Sequence, residues 1–358
     1  MNIRLDTVIK SLSVANAAIK NTASPCAKAG WYPTFSASGQ DVWLPNYRFD
    51  QKGIVVSAVG ARCGKAFKAD GKWNVCANTH ALSVNENIAD RDYCWYLLNN
   101  EAWWIKGGSA QPFVKVKDSL KRKHNFPTLD EQKRIVHKLD QVAHLIELEQ
   151  RELTLLDTLV KSRFVELFGD KQFPRASIGE LVSSIPRAKS VFRGSDVIKY
   201  IDISSIDNVN NEITNFTEYT FSEAPSRAQQ HLSKGDILIS TVRPNLKNVA
   251  MVRWDSDNLV GSSGFCVLRV VKASPEYLMT VVCSNVFTEA MIRATTGANY
   301  PAIKDVDVLE YMVDLPPSSL QNEFSRFVKQ SNKSKLAIQQ SLEKLEILRK
   351  SLMQHYFG

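Results

Sequence analysis

The feature that most constrains this chain is that it repeats itself. Displaced by 189 residues, Gly108-Ser-Ala-Gln-Pro112-Phe-Val-Lys115 falls on Gly297-Ala-Asn-Tyr-Pro301-Ala-Ile-Lys304. In the same register Asp118 and Leu120 meet Asp307 and Leu309, Phe126-Pro127 meets Leu315-Pro316, and Gln132 meets Gln321. Leu153, Leu156, Leu159 and Phe168-Gly169 then meet Leu342, Leu345, Leu348 and Phe357-Gly358. Upstream the register loosens: Ile54-Val-Val-Ser-Ala-Val59 matches Ile237-Leu-Ile-Ser-Thr-Val242 at an offset of 183, and Ala81-Leu-Ser-Val84 matches Val267-Leu-Arg-Val270 at 186. An ungapped run with ordered matches ahead of it is a duplication, so the chain must build one architecture twice.

Each copy is β-rich first and helical afterwards. Short branched runs bounded by turn residues, at 53–57, 235–242 and 265–271, predict strands. Short helices are expected between them, from Tyr93 to Trp104 and from Pro275 to Arg293. After Pro127 the apolar residues Ile135, Leu139, Val142, Ile146, Leu153, Leu156, Val160 and Leu167 follow steps of three and four, interrupted by Glu149 and Arg163. After Pro316-Pro317 the residues Phe324, Val328, Ile338, Leu342, Leu345, Leu352 and Tyr356 do the same, with Ser331, Lys335 and Arg349 as polar exceptions. A 3.5-residue period held this long predicts a coiled-coil seam, with proline at the start and Gly169 or Gly358 at the end. Helices of about 35 residues would be roughly 50 Å long. Each has one apolar stripe to bury, and the nearest complementary stripe is its own repeat. The expected fold class is therefore α+β: two β-rich domains, 1–126 and 171–315, separated by two long antiparallel helices, 127–170 and 316–358, as an intramolecular coiled coil with a pseudo-two-fold.

Charge is unevenly spread. The net charge is +8. Residues 1–126 hold 17 Lys/Arg against 9 Asp/Glu, whereas residues 171–315 hold 15 against 16. Bulk attraction could draw the first block to phosphate; the second would need a local patch. No apolar run approaches the ~18–20 residues of a membrane span, and the first twenty residues, broken by Arg4, Asp6 and Lys10, do not read as a signal peptide. Six cysteines (Cys26, Cys63, Cys76, Cys94, Cys266, Cys283) without a paired spacing read as reduced thiols of a cytoplasmic protein.

Several further segments stand out in order along nearly the whole chain. Gly30-Trp-Tyr-Pro-Thr-Phe-Ser-Ala-Ser-Gly39 is similar to the "YP-x-(Y/F)-x-A-x-G" opening of many target-recognition domains. Residues 54–65, 235–245 and Gly261-Ser-Ser-Gly-Phe265 add to the likeness. Most specific are Phe126-Pro-Thr-Leu-Asp-Glu-Gln132 and Leu315-Pro-Pro-Ser-Ser-Leu-Gln321; with them the chain resembles the specificity subunit of Type I restriction-modification enzymes along nearly its whole length, these helix starts being similar to that family's "LPPL-x-EQ". The second copy departs by having Leu320 where the first keeps the acidic Glu131. The resemblance implies two target-recognition domains, each reading half of a split, asymmetric site in double-stranded DNA. It implies helices that dock two methyltransferase subunits, and motor-nuclease subunits that join them. S-adenosylmethionine would sit on the methyltransferase partners; this chain would hold no cofactor, no metal and no catalytic residue.

Local chemistry agrees with a binding role. Gly60-Ala-Arg-Cys-Gly64-Lys65-Ala66 lacks the first glycine and the Ser/Thr of a phosphate loop. Asp314-Leu-Pro-Pro317 resembles an amino-methyltransferase motif but has an extra leucine and no aromatic residue. Six scattered histidines offer no metal spacing, no paired glycine-rich turn suits S-adenosylmethionine, and Ser240 and Ser263 lack a nearby His/Asp in sequence. For DNA contact the recurring turn residues stand out: Arg62, Lys65, Gln111 and Lys115 in the first copy, and Arg243, Asn245, Lys247, Tyr300 and Lys304 in the second. Arg and Lys suit phosphate or guanine, Asn and Gln suit adenine. The plain alternative is that Gly108, Pro112, Gly297 and Pro301 only shape a turn and its lysines are solvated. Two rival functions stand beside the resemblance: a stand-alone two-domain DNA-binding regulator, and a self-contained nuclease or methyltransferase, against which the missing motifs argue.

Overall fold

The computed structural model describes every residue except 1, 13–16, 170 and 298–300. It divides into two compact units. The first comprises Met1–Gln150 with Gln340–Gly358, the second Arg151–Gln339. Each long helix therefore contributes one stretch to each unit.

In the first unit the strands of the two four-stranded sheets are β1 (Ile9–Leu12), β2 (Tyr32–Ser36), β3 (Gly39–Leu44), β4 (Phe49–Asp50), β5 (Gly53–Ser57), β6 (Ala66–Ala69), β7 (Lys72–Val75) and β8 (Thr79–Val84), followed by helix α1 (Arg91–Leu98) and the long α2 (Leu129–Phe168). One sheet has the order β1-β8-β5-β6 and is antiparallel throughout; the other has the order β3-β2-β7-β4, with β2 and β7 parallel. In the second unit β9 (Val182–Ser183), β10 (Val197–Ile201), β11 (Thr217–Thr220), β12 (Ala228–His231), β13 (Ile237–Ser240), β14 (Val249–Met251), β15 (Leu259–Ser262) and β16 (Phe265–Val270) repeat the plan. Their sheets run β9-β16-β13-β14 and β11-β10-β15-β12, with β10 and β15 parallel. All eight strands correspond one to one, including strands such as β2 and β10 whose sequences share no visible likeness.

The central strands show why. All five residues of β5 and all four of β13 are buried. Side chains alternate across a strand. Ile54 and Val56 enter one core with Leu82, Tyr93 and Leu97, while Val55 enters another with Phe35, Trp73 and Val75. Likewise Ile237 and Ile239 face Leu278 and Phe287, and Leu238 faces Ile201 and Phe265. A strand covered on both faces needs a continuous apolar run rather than an alternating one, and those runs are what the two copies kept.

Two helical expectations are corrected. The predicted helix from Tyr93 to Trp104 ends at Leu98, and that from Pro275 to Arg293 is two helices, α3 (Pro275–Val282) and α4 (Asn285–Ala294). Ser284 breaks the second by capping α4, its hydroxyl accepting from the Phe287 N–H at 3.2 Å.

The duplicated glutamine now has a physical role. Gln132 is fully buried at the start of α2; its Oε1 accepts from the Asp90 N–H at 2.8 Å, and its Nε2 donates to the Pro127 carbonyl at 3.0 Å. Gln321, at the start of α5 (Ser318–Phe357), accepts from the Ser274 N–H at 2.8 Å and donates to the Pro316 carbonyl at 2.7 Å. Asp90 and Ser274 are the N-caps of α1 and α3. One amide thus ties each long helix to the cap of the short helix beside it. The opposite ends are fixed by aromatic contact. Phe357 lies 5.0 Å from the Tyr93 ring in the first unit, and Phe168 lies 4.9 Å from Tyr277 in the second.

Both long helices have 40 residues, about 60 Å at 1.5 Å per residue. Within each unit their stretches run antiparallel. In the first, Lys138 Nζ is 3.5 Å from the Tyr356 hydroxyl, and Glu149 Oε1 accepts from the Ser341 hydroxyl at 2.6 Å. In the second, Arg163 pairs with Glu323, and Lys335 with Asp157. Four of the five polar interruptions of the seam therefore have an account: Glu149, Arg163 and Lys335 bond across the pair, and Arg349 pairs with Glu346 on its own helix at 2.7 Å. The fifth, Ser331, is buried, and its hydroxyl has no hydrogen-bond partner among the described residues. Seam residues covered by a β-domain as well as by a helix, such as Ile135, Leu139, Leu167 and Phe324, are buried, and Val142 and Ile146 join them. Leu153, Leu156, Val160, Val328, Ile338, Leu342, Leu345 and Leu352 are half-buried, because one facing helix covers only one side of another. No helix among the described residues is long and apolar enough to cross a membrane.

Candidate nucleic-acid interface

At the end of β5 the chain turns through residues 58–65 before returning in β6. Arg62 is exposed on this turn, 3.8 Å from Glu101, and Lys65 lies half-buried over the Phe67 ring at 5.4 Å. Being a turn between antiparallel strands, the segment lacks the strand–turn–helix frame of a phosphate loop. Two backbone hydrogen bonds tie it to a second turn: the Gly60 N–H donates to the Pro112 carbonyl, and the Val114 N–H to the Ala58 carbonyl, both at 2.9 Å. Glycine is required at 108, where φ is +80° and a Cβ would approach the Gln111 carbonyl oxygen to 2.5 Å. Gln111 and Lys115 are exposed on that second turn. The fold thus brings Arg62, Lys65, Gln111 and Lys115, fifty residues apart in sequence, onto two bonded turns.

The second unit makes the same junction with different side chains. The Arg243 N–H donates to the Pro301 carbonyl at 2.8 Å, and the Ile303 N–H to the Thr241 carbonyl at 2.9 Å. Arg243, Asn245 and Lys304 are exposed. Tyr300 lies outside the described residues. Lys247 departs from expectation: it is half-buried, and its Nζ donates to Asn285 Oδ1 at 2.6 Å. The lysine fastens the loop to the first residue of α4.

Backbone conformation separates the two turns. Gly60 and Arg243 occupy equivalent places, and both have positive φ, +99° and +51°. Lys247 adds a second left-handed non-glycine residue at +53°. A side chain in that region costs about 1 kcal/mol relative to glycine. The second copy bears this cost at 243, where the first has Gly60.

Sequence reading missed the residues that brace this loop. Asn208 Nδ2 donates to the Leu246 carbonyl at 2.8 Å, and Asn211 Nδ2 to the Val249 carbonyl at 3.1 Å. The Asp207-Asn-Val-Asn-Asn211 run signals a turn, but nothing in it says which loop it holds. Ser240, considered as a nucleophile, spends its hydroxyl on the Val242 carbonyl at 2.9 Å.

A model of the Type I restriction modification DNA specificity domain matches residues 18–157. The specificity subunit of the Type I restriction enzyme HindI from Haemophilus influenzae is 27% identical over 151 residues, 41% of this chain and 32% of that protein, so this match spans only about a third of the relative's length. The EcoDI specificity subunit from Escherichia coli is 22% identical across 87% of this chain and 77% of its own. In fold, the chain is similar over its full length to the Type-I restriction-modification system S subunit from M. genitalium, with a TM-score of 0.64, 15% identity and 96% of that chain covered. With the doubled α+β units, the paired helices and the repeated glutamine in place, this chain is similar to Type I restriction-modification specificity subunits, in sequence over residues 18–157 and in fold over its full length.

Proposed function

We propose that this chain is the DNA-reading subunit of a Type I restriction-modification complex, with no chemical step of its own. The observation that carries the reading is the twice-built pair of bonded turns, which present Arg62, Lys65, Gln111 and Lys115 in one unit and Arg243, Asn245 and Lys304 in the other. The geometry is shared and the side chains differ, so one chain reads two unlike half-sites and its target is bipartite and asymmetric. Arginine and lysine at the turns supply phosphate or guanine contacts, and Gln111 and Asn245 supply amides suited to adenine. Lys247 is assigned to holding the loop.

Methyl transfer from S-adenosylmethionine belongs, in this reading, to two methyltransferase subunits docked on the chain, and cleavage to motor-nuclease subunits. Apolar side chains that the helix pair leaves uncovered support docking. Leu145, Leu148, Ile347 and Leu348 in the first unit, and Leu155 and Leu159 in the second, are 44% to 61% exposed, more apolar surface than a helix facing only water is expected to carry. The complex is placed in the cytoplasm, where the thiols stay reduced.

Methylome sequencing of the source strain with and without the gene tests the reading. Loss of one bipartite methylated motif with unequal halves is expected; an unchanged methylome would refute it.

A further inference from the structure

Residues 171–315 hold one more acid than base, so the second unit cannot meet a polyanion through bulk charge and needs a local concentration of cations. The fold builds one beside Arg243. The Thr241 N–H and hydroxyl both donate to the Gly264 carbonyl at 3.0 Å, placing the 261–265 turn against the Arg243 loop. On its other side the Ser263 N–H donates to the Arg227 carbonyl at 2.8 Å. Arg187 bridges to Gln230 on the adjoining β12 edge, and the His231 N–H donates to the Pro186 carbonyl at 3.0 Å. Arg187 and Lys189 line a shallow cleft of about 300 Å³ with Phe221, Pro225, Ser226 and Gln229.

Arg187, Lys189 and Arg227 are exposed, and among the described residues none of the three has a side-chain ion-pair partner. The neighbouring carboxylate, Glu223, is engaged by the Thr220 hydroxyl. At the far end of the same sheet the cations are differently placed: Lys234 is already paired with Asp255 at 2.7 Å.

We infer that Arg187, Lys189 and Arg227 form a phosphate-backbone site of the second unit, continuing the DNA face from Arg243 across the 261–265 turn. The site rests on the DNA-reading role proposed above. It acts as a set of point charges: it adds affinity for any duplex and positions the unit, while choice of bases stays with the bonded turns.

The test uses the full-length chain and a random-sequence duplex, with binding followed by fluorescence anisotropy over a salt series. Each phosphate contact contributes about 0.9 to the slope of log affinity against log salt. The R187A/K189A/R227A variant is expected to lower that slope by about 2 to 3. A charge-matched variant of cations outside the site, K234A/R253A/K272A, is expected to leave it within about 0.5. The R187K/R227K variant is expected to keep the wild-type slope, because phosphate accepts lysine in place of arginine. An unchanged slope in the first variant, an equal fall in the second, or a full loss in the third would each overturn the site while leaving the DNA-reading role standing. If the wild-type chain binds no duplex at any salt concentration, that role falls, and the site with it.

Discussion

Replacing Gln132 with methionine isolates what the buried amide contributes, because methionine keeps the length and most of the volume of the side chain. Gln132 is fully buried and makes three hydrogen bonds: from the Asp90 N–H at 2.8 Å, to the Pro127 carbonyl at 3.0 Å and to the Ile88 carbonyl at 3.3 Å. A protein hydrogen bond is worth about 1 kcal/mol net, and an orphaned buried donor or acceptor costs about 1–3 kcal/mol. The 3.3 Å contact is long and counts for less. Two good bonds lost, with the Asp90 N–H left partly buried, give a loss of roughly 3 kcal/mol. For a unit of this size that lowers the melting temperature by roughly 6–12 °C. Scanning calorimetry of the full chain is the assay, since two units melt as separable transitions wherever they are not one cooperative block. Gln321→Met should act equally on the second unit through Ser274 and Pro316. Glu131→Leu is the contrast. That carboxylate makes only an exposed pair with Arg134 at 3.4 Å, worth a few tenths of a kcal/mol, and the second copy already carries Leu320 there. If Gln132→Met melts within about 2 °C of the parent, or Glu131→Leu is as damaging, the glutamine does not join the helices as argued.

Two further outcomes are expected. Leu342→Asp with Leu345→Asp places two charges in a half-buried seam and should cost about 2–4 kcal/mol and part of the helical circular-dichroism signal; an unaltered melt would remove those leucines from the seam. Burial holds the His80 and His124 imidazoles below the usual histidine range. The unfolded chain therefore takes up protons that the folded first unit refuses, so stability present above about pH 6.5 is lost as pH falls from there toward the depressed values. The melting temperature should drop between pH 7.5 and pH 5.5 and drop less in H80Q/H124Q; equal pH dependence in both proteins would contradict this.

The primary sequence by itself determined the duplication, the two long helices and their seam. Those features rest on periodicity and on residues whose roles are local or steric, such as Pro127, Gly108 and the apolar runs of β5 and β13. Its charge distribution also stated a requirement, a local basic patch in the second copy, without saying where. Tertiary structure decided the rest. The strands β2 and β10 share a place and not a sequence, because partners on either side define them. Arg187 and Lys189 come beside Arg227 only because residues 186 and 187 bond to Gln230 and His231 on β12, while Ser263 ties Arg227 to the 261–265 turn. Lys247 and Arg243 look alike in sequence, and both are left-handed; one is spent on Asn285 and the other is exposed. Composition fixes which groups a chain owns, but whether a cation anchors a loop or faces solvent depends on what the fold sets beside it, and that is not a local property.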